Sequence, residues 1–177
     1  MVRLFVAVAL PEPVLAVLRS WPRPELAAVR YTAEAQWHVT LRFLGEVEGP
    51  AAVSEALVGV PGLLAPGDRP LPAVLGPAVS WFPGRHVLQV PVTGLEDLAA
   101  AVGQVTEPWG APPEVPFRGH VTLARSRGRR PGPRQLAGAP MAAAFAVDEV
   151  LLCSSVPGPG GSVYEVRSRL ALAGGVA

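Results

Sequence analysis

Trp37-His38-Val39-Thr40-Leu41-Arg42-Phe43-Leu44-Gly45 and Phe117-Arg118-Gly119-His120-Val121-Thr122-Leu123-Ala124-Arg125 carry one tetrapeptide in common, His-Val-Thr-Leu, in the two halves of a 177-residue chain. Each copy sits in an apolar run and reads as a strand. Side chains alternate along a strand, so His and Thr share one face while Val and Leu take the other. Each strand then offers an imidazole and a hydroxyl, anchored by two core residues. If the halves pack with approximate two-fold symmetry, both pairs face one cleft. The flanks of the copies do not match, so the repeat is one of structure.

Outward from these strands the pattern alternates. Residues 2–10, 36–44, 71–81, 85–92, 117–125, 143–153 and 163–172 read as strands, and 12–20, 50–60 and 94–109 as helices. Residues 22–35 and 126–139 read as loop, the first with a share of irregular helix, and 111–116 as a Pro-rich connector. The strands at 71–81 and 85–92 pair across a short turn. Those at 143–153 and 163–172 form a hairpin across 157–162. Strands and helices that mix with many short turns predict an α+β fold, with helices against largely antiparallel sheet.

Composition narrows the chemistry. Apolar residues make up 50% of the chain, enough for a core, and 19 Gly and 21 Pro supply its turns. All 15 basic residues are Arg. Without lysine there is no nucleotidyl-lysine, Schiff-base or lysine phosphate-loop chemistry. Three His, one Cys and few Asp argue against a dedicated metal site. Cys153 has no partner for an internal disulfide, which points to the cytoplasm. The apolar run after Arg3 meets Pro11-Glu12-Pro13 without a signal-type cleavage pattern, and no stretch reaches the ~18 apolar residues of a membrane span. The net charge is +1, but six Arg and no acid fall between Arg118 and Arg134. Such a patch is either a solvated loop or a nucleic-acid footprint.

Two imidazoles can cleave a phosphodiester without a metal. A neutral one takes a proton from the attacking oxygen, and a protonated one gives a proton to the leaving oxygen. Thr hydroxyls and an Arg can hold the phosphate oxygens. His86 lacks a Thr two residues on and reads as surface or supporting. Arg42 shares the face of His38 and Thr40 by alternation. Arg125 falls on the opposite face from His120 unless the strand ends or bulges. Phe5 reads as core, with base stacking as its alternative.

The paired His-x-Thr-x motifs resemble the two-histidine (2H) phosphoesterase superfamily. Arg3-Leu4-Phe5, the segment from Trp37 to Val47, the segment from Phe117 to Arg125, Val147-Asp148-Glu149-Val150 and Pro159-Gly160-Gly161-Ser162-Val163-Tyr164-Glu165-Val166 together resemble its RNA 2′,3′-cyclic phosphodiesterases, also named 2′-5′ RNA ligases. The resemblance runs from about residue 2 to 172. It implies one two-lobed domain over 1–177, with two pseudo-symmetric antiparallel sheets, helices outside and an active cleft between lobes. It implies metal-independent hydrolysis of an RNA 2′,3′-cyclic phosphate to a 2′-phosphomonoester, and reversible 2′-5′ joining of RNA ends without ATP or any other cofactor. By position, His38 is the proton donor and His120 the proton acceptor, with Thr40, Thr122, Arg125 and Arg42 on the phosphate. The implied partners are RNA 3′ ends with a cyclic phosphate, such as those of tRNA fragments. A monomer away from membranes is expected. The family usually has Pro where this chain has Gly119. Two alternatives stay open: a phosphodiesterase for small nucleotide or metabolite cyclic phosphates, and a non-catalytic module that binds RNA ends.

Overall fold

The computed structural model describes residues 1–67, 70–112, 114–158 and 161–172. Ten strands and four helices follow in the order β1 (Val2–Val8), α1 (Glu12–Ser20), β2 (Val29–Tyr31), β3 (Val39–Val47), α2 (Pro50–Leu57), α3 (Val60–Leu63), β4 (Leu71–Leu75), β5 (Ser80–Trp81), β6 (Val87–Thr93), α4 (Glu96–Val105), β7 (His120–Ser126), β8 (Ala143–Val147), β9 (Glu149–Gly158) and β10 (Gly161–Ala171). No helix among the described residues is long and apolar enough to cross a membrane.

The strands pair in the order β10-β9-β1-β3-β7-β6-β4-β8, antiparallel throughout, and the sheet curls into a half-barrel. This order is symmetric about its centre. The two strands with the shared tetrapeptide lie in the middle, and three strands flank each of them. The halves therefore repeat one plan, β1-α1-β3 and β6-α4-β7. Their helices cross over: α4 packs on β3, and α1 packs on β8. Val14 and Leu18, four apart on α1, and Leu98 and Val102 on α4 are fully buried in a core shared by both halves. Each such side chain contributes roughly 1.5–3 kcal/mol by leaving water. The helices thus tie the two wings of the sheet together.

The expected helix at 50–60 is two, α2 and α3, and three further elements depart from the sequence reading. The run at 71–81 breaks at Gly76, whose φ of 128° suits glycine and where a Cβ would press on the Met141 carbonyl. The run at 143–153 is two strands, because the chain leaves β4 and joins β1 at Asp148, whose carbonyl accepts the Leu172 N–H at 2.7 Å. The expected loop at 22–35 contains β2, which pairs with β7 through Arg30↔Arg125 and Tyr31↔Ala124. The hairpin of β9 and β10 is present, with Gly158 across from Gly161. Pro159 and Gly160 of the quoted stretch lie outside the described residues.

Candidate active site

β3 and β7 meet at Val39↔Val121. Extended one residue each way, this antiparallel register sets His38 across from Thr122 and Thr40 across from His120. All four side chains line one cleft of about 400 Å³, together with Arg30, Thr32, Gln36, Phe43, Phe82, Arg125, Ser162 and Tyr164. Val39 and Val121 are fully buried beneath, as strand alternation requires.

Both imidazoles are held in the same way. Nδ1 of His38 donates to the Gln36 carbonyl at 2.8 Å, and Nδ1 of His120 donates to the Arg118 carbonyl at 2.8 Å. A carbonyl only accepts, so the Nδ1 proton is fixed and Nε2 of each neutral ring keeps its lone pair. Nε2 of His38 accepts from the Thr40 hydroxyl at 2.9 Å. Aromatic rings brace both imidazoles. Tyr164 stands edge-on to His38 with centroids 5.1 Å apart, and Phe82 stands edge-on to His120 at 4.8 Å. Phe5 lies 5.0 Å from His38, yet only 3% of it is exposed, so it is core beneath the site.

Burial lowers the pKa of His38 to about 4, with a smaller push from His120 and an opposing pull from the Gln36 carbonyl. Burial also lowers His120, and the Arg125 guanidinium adds to that shift. Both rings are neutral at pH 7. Among the described residues, no set of His, Cys, Asp and Glu could hold a metal ion.

The two arginines part company. Gln89 pairs with Thr122 and Leu88 with Ala124, so Leu123 is an extra residue in β7. This bulge reverses the alternation, buries Leu123 and Ala124 side by side and turns Arg125 to the face of His120. Thr32 holds the bulge: its N–H donates to the Leu123 carbonyl at 2.9 Å and its hydroxyl to the Thr122 carbonyl at 2.7 Å. Arg42 corrects the sequence expectation. Val6 pairs with Arg42 and Ala7 with Thr40, so Leu41 is likewise extra and Arg42 swings away from the cleft. Its guanidinium donates to the carbonyls of Gly103 (2.7 Å) and Trp109 (3.0 Å). Phe43 takes the cleft face in its place.

Of the six arginines from 118 to 134, only Arg125 is among the cleft residues. Arg127 donates to the Val29 carbonyl at 3.1 Å instead. His86 bonds Ser126 outside the cleft at 2.8 Å, as its surface reading requires. Sequence reasoning missed Arg30, Gln36, Phe82 and Tyr164. Gln36 does double duty, since its carbonyl orients His38 and its side-chain amide donates to the Ser162 carbonyl at 2.7 Å.

No protein-family model and no curated protein sequence matches the chain. Solved structures do match it. LigT of E. coli in its apo form is 26% identical with a TM-score of 0.70, covering 96% of each chain. TT0787 of Thermus thermophilus is 28% identical with a TM-score of 0.75, covering 98% of this chain and 99% of that one. A protein described as a phosphoesterase is 26% identical with a TM-score of 0.70, covering 97% and 98%. LigT has also been crystallised with 3′-AMP and with phosphate.

Proposed function

The chain belongs to the two-histidine phosphoesterase superfamily, as do LigT and TT0787, and from that premise we propose that it hydrolyses 2′,3′-cyclic phosphates at RNA 3′ ends to 2′-phosphomonoesters. The observation that carries this reading is the pair of Nε2 atoms aimed into one cleft, each fixed by an Nδ1–H bond to a backbone carbonyl.

In the proposed reaction the cyclic phosphate sits between the imidazoles. Nε2 of His120 takes a proton from water, and the water oxygen attacks phosphorus. The P–O3′ bond breaks, and Nε2–H of protonated His38 gives its proton to O3′. The products are a 2′-phosphate and a 3′-hydroxyl, with the proton now on His120. Exchange with solvent restores the start. Thr40, Thr122 and Arg125 hold the non-bridging oxygens as charge builds on them. No metal or nucleotide cofactor enters. A 5′-hydroxyl in place of water gives a 2′-5′ linkage, and the histidine roles exchange in the reverse direction. Because burial keeps His38 neutral at pH 7, its proton arrives as the anionic substrate offsets the cost of burial. The chain works as a cytoplasmic, two-lobed monomer.

A second reading, a phosphodiesterase for small cyclic phosphates, is favoured by one observation. Most of the arginine-rich segment after Arg118 lies outside the cleft.

The deciding experiment incubates the protein with a short RNA ending in a 2′,3′-cyclic phosphate, with EDTA and without ATP. A 2′-phosphate product that is absent with His38→Ala and with His120→Ala supports the reading. An RNA that binds but never changes would mark an end-binding module. Turnover of cyclic mononucleotides alone would favour the second reading.

A further inference from the structure

We propose that the cleft binds a second phosphate, held by Arg30 beside Arg125, so that its ligand is a nucleotide carrying another phosphate besides the reacting one. This rests on the cyclic-phosphate reading above and assigns Arg30 the choice of ligands with a phosphate on the 5′ side over nucleoside cyclic phosphates that lack one.

Arg30 and Arg125 stand opposite each other in the β2–β7 register, and both line the cleft. Like charges directly across a strand pair destabilise it unless something lies between them. No acid among the described residues does so. Their ion pairs engage Arg19, Arg167 and Arg169, and no acid lines the cleft. Two uncompensated guanidinium groups at one end of a concave wall are complementary to an anion, and their planar forks suit phosphate.

The two arginines reach the cleft from different strands. Arg125 is close enough for its charge to lower His120, so it belongs with the reacting phosphate. Arg30 lies on the far strand against Gly161 at the start of β10, on the side of Gln36 and Ser162. A cleft of about 400 Å³ exceeds what one cyclic phosphate fills. The spare charge of Arg30 lines this same cleft.

The test compares binding of two product-like probes, a nucleoside 2′-monophosphate and the matching 2′,5′-bisphosphate, by calorimetry. We expect the bisphosphate to bind at least about tenfold tighter to the wild type. Arg30→Ala should collapse that ratio to within about twofold, and Arg30→Lys should restore part of it. A wild-type ratio near one, or a preference that survives Arg30→Ala, overturns the proposal. The same ratio is then read as kcat/KM for a nucleoside 2′,3′-cyclic phosphate, its 5′-phosphorylated form and a dinucleotide with a cyclic end. A preference for the dinucleotide alone that persists in Arg30→Ala would mark a base contact and count against the subsite. Absence of turnover on all three would sink the catalytic reading, while the binding ratio still decides the subsite.

Discussion

Val39 and Val121 face each other across β3 and β7, and through this one pair the two wings of the sheet become continuous. The contact has a chemical consequence. It places the histidine of each tetrapeptide across from the threonine of the other, so the site is shared between the halves rather than built in either. Neither half alone brings two imidazoles to one cleft.

In the proposed reaction, replacing either imidazole removes one arm of a coupled proton transfer. His38→Ala and His120→Ala should each lower kcat on a cyclic-phosphate substrate by about 10²–10⁴-fold. The double variant should be little worse than the poorer single one, because groups acting as a unit are not additive. Rates from single-turnover assays on all three variants check this. Full activity in His120→Ala would remove the second tetrapeptide from the mechanism.

How the sheet reaches this arrangement is only partly legible in the sequence. Alternation correctly sets His38 with Thr40 and His120 with Thr122, because the first three residues of each tetrapeptide run in register with a buried valine between. It fails at the last residue of each motif, the extra residues Leu41 and Leu123. Neither bulge marks the hydrophobic pattern, since Leu41 continues the alternation between Thr40 and Arg42 and Leu123 only extends into Ala124. Arg30 is hidden for another reason. β2 has three residues among prolines and polar side chains, too few for a period, and forms only because β7 offers it an edge.

The divergence of the two arginines is measurable. Arg42→Met removes two charge-assisted bonds to backbone carbonyls of α4 and the segment after it. It should cost about 2 kcal/mol of stability in denaturant unfolding and leave kcat/KM near the wild-type value. Arg125→Met should do the reverse, with a clear loss in kcat/KM and little change in stability. A loss of activity in Arg42→Met at full folding would return Arg42 to the phosphate.

The pH–rate profile follows from the direction of both shifts. Burial holds His38 and His120 below the ordinary value of 6.5. The singly protonated pair that the reaction needs is thus populated below pH 6.5 and falls away as pH rises. The profile of kcat/KM, which reports the free protein, should be a bell with its maximum on the acid side of pH 6.5. Its limbs belong to the pair. The profile of kcat should sit at higher pH, because bound phosphate raises both rings. Coincident bells above pH 7 would contradict the burial argument.

Stability should carry the same signature. His38 has a folded pKa of about 4, below its unfolded value of 6.5. Between these pH values the unfolded chain binds the extra proton, so stability is complete above about pH 6.5 and is lost as pH falls toward 4. The full difference is on the order of 3 kcal/mol for this one ring. Denaturant midpoints from pH 7 to 4 should therefore fall less steeply in His38→Gln than in the wild type. Parallel curves would show that the ring is not desolvated.

Gly119 gives the sharpest test of local geometry. β6 passes so close that a Cβ at residue 119 would lie 2.4 Å from the Val92 carbonyl oxygen. The Gly119 carbonyl accepts the Val92 N–H at 2.8 Å in return. The neighbour is backbone and cannot rotate aside, so the strands must separate to admit any side chain. Arg118 and His120 flank this contact, and the Arg118 carbonyl orients the His120 ring. Gly119→Ala should thus cost about 1–3 kcal/mol of stability and lower activity through the tilt of one imidazole. Gly119→Pro, the residue the family resemblance would favour, should do no better, because its ring carries the same Cβ into the same carbonyl. Thermal unfolding and kcat on a cyclic-phosphate substrate, measured together, decide this. A Gly119→Pro variant at least as stable and active as the wild type would mean that β6 yields more readily than its hydrogen bond to Gly119 implies.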